Sequence, residues 1–169
     1  MKGVRPPVLD PRKGPDGPPP VGLAPAVFGQ PVDALARLAG ARVMVVEDDD
    51  DSRELICGLL RMAGATVLCV ESVAQAMEGV GHSFDPDVVL TDFSMPDADG
   101  MDLIREFRKV PSTRAVAVPI LILSGLSGGN WRVQALAAGA ADWLTKPFEP
   151  DALITRIAAA VAPGRTRPH

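Results

Sequence analysis

The sequence predicts a doubly wound α/β domain, a five-stranded parallel sheet with helices on both faces. Five short apolar runs alternate with longer segments whose apolar residues recur at helical spacing. The runs are apolar throughout rather than at every second residue, as strands covered on both faces must be. Strand followed by helix, five times over, implies right-handed crossovers and therefore parallel neighbours.

The elements follow in order. Residues 1–40 hold nine of the 17 prolines and six of the 16 glycines, with few large apolar side chains, the composition of a disordered extension. Only 32–39, ahead of Gly40, has the pattern of two helical turns with a glycine stop. The first strand is Val43, Met44, Val45 and Val46. A helix starts near Asp51, where Asp51 and Glu54 have capping-box spacing, buries Leu55, Ile56, Leu59 and Leu60, and stops at Gly64. Strand two is 66–70, and a helix over 72–79 follows. Strand three is 88–90, and its helix, 101–109, places Leu103, Ile104 and Phe107 on one side before Pro111. Strand four is 120–123, followed by a helix over 130–138. Strand five is 143–145. The last helix, 151–162, carries Leu153, Ile154, Ile157 and Val161 at i, i+1, i+4 and i+8. Five such strands fit the flavodoxin-like order 2-1-3-4-5, in which sites form outside the carboxyl ends of the strands.

The chain of 169 residues, 47% hydrophobic, has the material for one domain with a sizeable core, expected over 41–162 with a tail at 163–169. A net charge of -4 and a pI near 5.1 lack the footprint of a nucleic-acid binder, so protein partners are expected. No apolar stretch is long enough to span or target a membrane. Cys57 and Cys69 sit in apolar runs without metal-ligand spacing and are expected as buried free thiols in a reducing cytosol.

The residues just past each strand decide the chemistry. Glu47 and Asp48 follow strand one, and Thr91, Asp92, Phe93, Ser94, Met95 and Pro96 follow strand three. Strands one and three are neighbours in the expected order, so their carboxylates converge and repel unless a cation intervenes. Oxygen ligands without His or Cys suit Mg²⁺. Ser124-Gly125 after strand four offers a hydroxyl, and Lys146-Pro147-Phe148 after strand five an ammonium, both partners for phosphate. Asp49, Asp50 and Asp51 read as a solvated helix start favoured by the macrodipole. His82, in a glycine-flanked loop, and His169, at the tail, match no ligand pattern, and Trp131 reads as helix-face packing.

Taken together, these motifs resemble those of the response regulator receiver domains of two-component signalling, over residues 41–162. The resemblance rests on the acidic pair Glu47-Asp48, the loop from Asp92 to Pro96, the Ser124-Gly125 step and the run from Ala138 to Phe148 that contains Lys146-Pro147. It implies that Asp92 is the phosphoacceptor, receiving its phosphoryl group from a histidine kinase or phosphotransfer protein in the cytoplasm. It also implies Asp48 as a direct Mg²⁺ ligand, Glu47 acting through water, the Ser94 carbonyl on the metal, Ser124 and Lys146 on the phosphoryl group, and a cis bond at Lys146-Pro147. Ser124 and Trp143 occupy the switch positions, with Trp where Tyr or Phe is usual, and Ser94 and Leu126 occupy positions that tune access of hydrolytic water. Such a domain is a phosphoacceptor that assists its own phosphorylation and dephosphorylation, not an enzyme acting on other substrates. With seven residues after Ala162, a stand-alone regulator signalling through a downstream protein is expected. The alternatives are a receiver fragment of a hybrid kinase or larger regulator, and a phosphohydrolase with an aspartyl nucleophile. Ser94 weighs against the last, because such enzymes carry a second acid at that position.

Overall fold

The structure, a computed structural model, describes residues 36–82, 84–111, 117–126 and 129–161. Among these, five strands alternate with five helices: β1 Arg42–Val46, α1 Asp50–Met62, β2 Thr66–Val70, α2 Val73–His82, β3 Val88–Asp92, α3 Gly100–Lys109, β4 Ile120–Ser124, α4 Gly129–Ala138, β5 Asp142–Thr145 and α5 Pro150–Ala160. The strands form one parallel sheet in the order β2-β1-β3-β4-β5, as expected.

Side chains of a strand alternate between the two faces of a sheet, and the core divides accordingly. Met44, Val46, Val89, Ile120 and Ile122 point to one face, where Ala76 of α2, Leu103, Ile104 and Phe107 of α3 and Ala135 of α4 cover them. Val43, Val45, Val88, Leu90, Leu121 and Leu123 point to the other, under Ile56 and Leu60 of α1 and Leu153 and Ile157 of α5. Each fully buried aliphatic side chain contributes roughly 1.5–3 kcal/mol, so the three central strands hold the sheet together. The outer strands do not share that burial. β2 is an edge strand buried fully only at Val70, and β5, at the other edge, only at Trp143. A short apolar run reads alike whether a strand is central or at an edge.

Several local expectations are corrected. The N-cap of α1 is Asp49, whose Oδ1 accepts from the Ser52 amide at 2.8 Å, and not a box from Asp51 to Glu54; the capping box belongs to α3, between Asp99 and Asp102. Leu55 is 75% exposed because Ile56, Cys57 and Leu60 define the buried stripe, which leaves Leu55 turned away. His82 is the last residue of α2, not part of a loop. Cys57 and Cys69 are not free thiols: they form a disulfide between α1 and β2.

Of the expected extension, residues 1–35 and the tail from 162 onward lie outside the described residues, as does the start of the helix expected at 32–39. Residues 36–40 are turns seated on the domain and are not disordered. Leu38 is buried in the core under α1 and α5, and its amide donates to the Ala63 carbonyl at 2.9 Å. Arg37 pairs with Asp151 and donates to the Thr155 hydroxyl, both on α5. Gly64, at φ +91°, carries the chain out of α1; a Cβ there would stand 3.3 Å from the Ala39 backbone, so the glycine also makes room for this segment.

Candidate functional site

The ladder hydrogen bonds of the sheet run past the strand ends and fix the residues that matter. The Glu47 amide donates to the Val70 carbonyl at 3.1 Å, Phe93 to Leu123 at 2.8 Å, and Lys146 to Ser124 at 2.7 Å. Residues adjacent to buried strands are thereby held in register with their neighbours, and their side chains converge at one end of the sheet. Carboxylate oxygens of Glu47, Asp48 and Asp92 all lie within 4.8 Å of one another.

Lys146 stands among them, its Nζ 2.7 Å from Glu47 Oε2 and 2.8 Å from Asp92 Oδ1. The second oxygen of Asp92 accepts from the Ser94 amide at 3.0 Å. Ser124 is buried and its hydroxyl oxygen accepts from the Leu126 amide at 2.9 Å. The peptide bond from Lys146 to Pro147 is cis, as the resemblance implied. Behind the acidic pair, Arg53 of α1 donates to the carbonyls of Glu47 at 2.8 Å and Asp48 at 3.3 Å, holding that loop's backbone from below. A cleft of about 410 Å³ opens beside Asp48, between Glu71 and Ser72 on one side and Met95 to Ala98 on the other.

The charges interact strongly. Burial pushes the Glu47 carboxyl above its ordinary value, against the pull of Lys146, with the charges of Asp92 and Asp48 adding to the rise. For Lys146 burial alone favours the neutral amine, yet the hydrogen bonds to Asp92 and Glu47 outweigh it and raise its pKa. Three carboxylates against one ammonium leave a negative excess in a half-buried site made of oxygen donors. That composition fits a hard divalent cation.

The structure thus brings together Glu47, Asp48, Asp92 and Lys146, with Ser94 and Ser124 flanking Asp92 on neighbouring strand ends. Trp143 is buried beside them, and its ring packs on Phe93 with centroids 5.0 Å apart. Phe93 also meets Trp131 of α4 at 5.5 Å, so Trp131 packs on the domain although it is 46% exposed. Besides Arg53, two residues went unread in the sequence. Phe93 joins Asp92 to both indoles, which only its position next to Asp92 could have suggested. At Gly100 an added Cβ would lie 3.0 Å from the Asp92 carbonyl oxygen, so glycine lets α3 start against the end of β3; its place after the capping residue Asp99 was the available signal.

Comparison with known proteins agrees with this fold. The profile of the response regulator receiver domain matches residues 43–158. The cell cycle transcriptional regulator CtrA of Caulobacter vibrioides is 35% identical over 120 residues, covering 71% of this chain and 50% of its own, so the chain spans about half the length of that curated relative. A putative response regulator from Chloroflexus aurantiacus superposes with a TM-score of 0.66 at 31% identity, covering 73% of this chain and 98% of its own. The chemotaxis response regulator CheY4 of Vibrio cholerae does so at 0.64 and 26%, covering 71% and 98%. No helix among the described residues is long and apolar enough to cross a membrane.

Proposed function

Since the chain belongs to the response regulator receiver domain family, we propose that it accepts a phosphoryl group on Asp92 from a phosphohistidine of a kinase or phosphotransfer protein in the cytoplasm and signals through contact with a downstream protein. The observation that carries this is the position of Lys146, bonded at once to Asp92 and Glu47 beside Asp48. Asp92 supplies a carboxylate oxygen as nucleophile, so no base is required to remove a proton from it. The new bond joins that oxygen to phosphorus as the phosphorus–nitrogen bond breaks and the imidazole leaves. Lys146 and the Ser124 hydroxyl bind the phosphoryl oxygens, and the Ser94 amide steadies Asp92 through its other oxygen.

Glu47, Asp48, Asp92 and the Ser94 carbonyl would hold Mg²⁺, which supplies neutralising charge for the phosphoryl oxygens when bound. The domain proposed spans residues 41–162 together with the docked turn at 36–40. The test is intact mass after incubation with acetyl phosphate and Mg²⁺. One phosphoryl group is expected on the parent and none on Asp92→Asn; equal labelling of both would refute the assignment.

A further inference from the structure

Cys57 on α1 and Cys69 on β2 are bonded through their sulfurs, with Cα atoms 6.5 Å apart, a separation that a disulfide spans without moving backbone. The two sulfurs are unlike. Cys57 is buried, whereas Cys69 is partly exposed on an edge strand and accepts from the Arg61 guanidinium at 3.2 Å. A guanidinium beside a sulfur favours its thiolate and makes it the more reactive of a pair. Arg53, Cys57 and Arg61 form one stripe along α1 at i, i+4 and i+8. Arg53 grips the carbonyls of Glu47 and Asp48, Cys57 is bonded to β2, and Arg61 flanks that bond. One helix face therefore ties the acidic loop to the edge of the sheet.

We infer that Cys57 and Cys69 are a reversible thiol–disulfide couple that reacts with small disulfides of the glutathione class and sets how firmly α1 is held to β2. The reversibility rests on the reading proposed above, of a domain working beside a kinase where thiols are kept reduced; in such compartments protein disulfides are mostly transient or sensing. The Cys69 thiolate attacks one sulfur of glutathione disulfide, forming a mixed disulfide and releasing one glutathione thiolate. The Cys57 thiolate then attacks the Cys69 sulfur and expels the second. Two protons leave the protein thiols, two electrons pass to glutathione, and the two glutathione thiolates take up protons. Excess reduced glutathione runs the steps backwards.

The test uses the full chain in buffers of graded reduced and oxidised glutathione, followed by intact mass, melting temperature and amide exchange. A single transition is expected between a dithiol and a form two hydrogens lighter, reached from either direction. The oxidised form, which closes a loop between residues 12 apart, should melt higher by on the order of 10 °C, and its amides over 55–62 should exchange on the order of tenfold more slowly. Cys57→Ser should take glutathione on Cys69, and Cys69→Ser should take none on the buried Cys57. Persistence of both thiols in glutathione disulfide alone, a bond that excess reduced glutathione leaves intact, or glutathione on Cys57 but not Cys69 would each overturn the inference. Acetyl phosphate labelling is measured on both forms in parallel. Its absence from both would remove the phosphoacceptor reading while leaving the thiol result standing.

Discussion

The ammonium of Lys146 stands 2.8 Å from Oδ1 of Asp92, joining strand ends that lie 54 residues apart in the chain. With its second bond to Glu47, it fills the space between two buried carboxylates. Lys146→Ala leaves them facing each other without a counter-charge, which should cost about 1–3 kcal/mol when no divalent ion is present. Mg²⁺ should recover most of that loss and bind the variant at least as tightly as the parent, while phosphorylation falls. Melting curves with and without Mg²⁺, together with calorimetric titration, check this. A folded variant that no longer binds Mg²⁺ would show that the lysine belongs to the metal site itself.

Asp48→Asn should separate metal binding from fold. Loss of one carboxylate is expected to weaken Mg²⁺ binding roughly tenfold, about 1.4 kcal/mol, and to slow phosphorylation with it. Relief of repulsion from Glu47 and Asp92 should raise the metal-free stability by about 0.5 kcal/mol. A lower melting point for the metal-free variant would contradict the view of the pocket as over-charged.

Burial raises the Glu47 pKa above 4.5, so the folded chain keeps that proton to higher pH than the unfolded chain does. Stability from this residue is therefore greatest below 4.5 and declines as pH rises through the folded value. Glu47→Gln carries no such proton. In metal-free protein, the stability difference between the variant and the parent should move in the variant's favour from about pH 4 to about pH 7. Urea midpoints across that range measure it, and a difference that does not change would rule out the raised pKa.

Two glycines should respond oppositely to the same change. Gly100→Ala sets a Cβ 3.0 Å from the Asp92 carbonyl oxygen and 3.4 Å from the Phe93 Cα. Backbone cannot yield cheaply, so a loss of about 1–3 kcal/mol is expected, with slower labelling of Asp92. Gly58→Ala on α1 meets nothing within 4 Å and should stabilise by roughly 0.5–1 kcal/mol through helix propensity. Denaturant unfolding of the pair gives the comparison.

Beryllofluoride with Mg²⁺ mimics the aspartyl phosphate and should change tryptophan emission. Trp143 is already buried against Phe93, so the change would report altered ring neighbours rather than new burial. Most of it should disappear in Trp143→Phe and in Ser124→Ala, and most should survive in Trp131→Phe. A full response in Trp143→Phe would place the moving part elsewhere.

The sheet was legible because central strands must be apolar on both faces, and Val43 to Val46 and Ile120 to Leu123 are. The convergence of Glu47 and Asp48 with Asp92 followed from strand order, since they sit at the ends of neighbouring strands, whereas the place of Lys146 came from the family resemblance. What escaped was pairwise. Leu55 and Ile56 look alike in sequence, yet only the helix phase decides which is buried. Cys57 and Cys69 lie in different elements, and their meeting depends on how α1 rests on β2. Leu38 sits next to a proline-rich segment whose composition masks one well-packed side chain.

That leucine bears on how the domain can be transplanted. The stretch shared with the family begins at residue 43, but among the described residues the hydrophobic interior begins at Leu38. A chimera joined at the family boundary would carry a void beneath the first and last helices and lose the bridge from Arg37 to Asp151. Swapping this module between proteins thus calls for a splice upstream of Arg37, chosen by the packing of Leu38 and not by the family boundary.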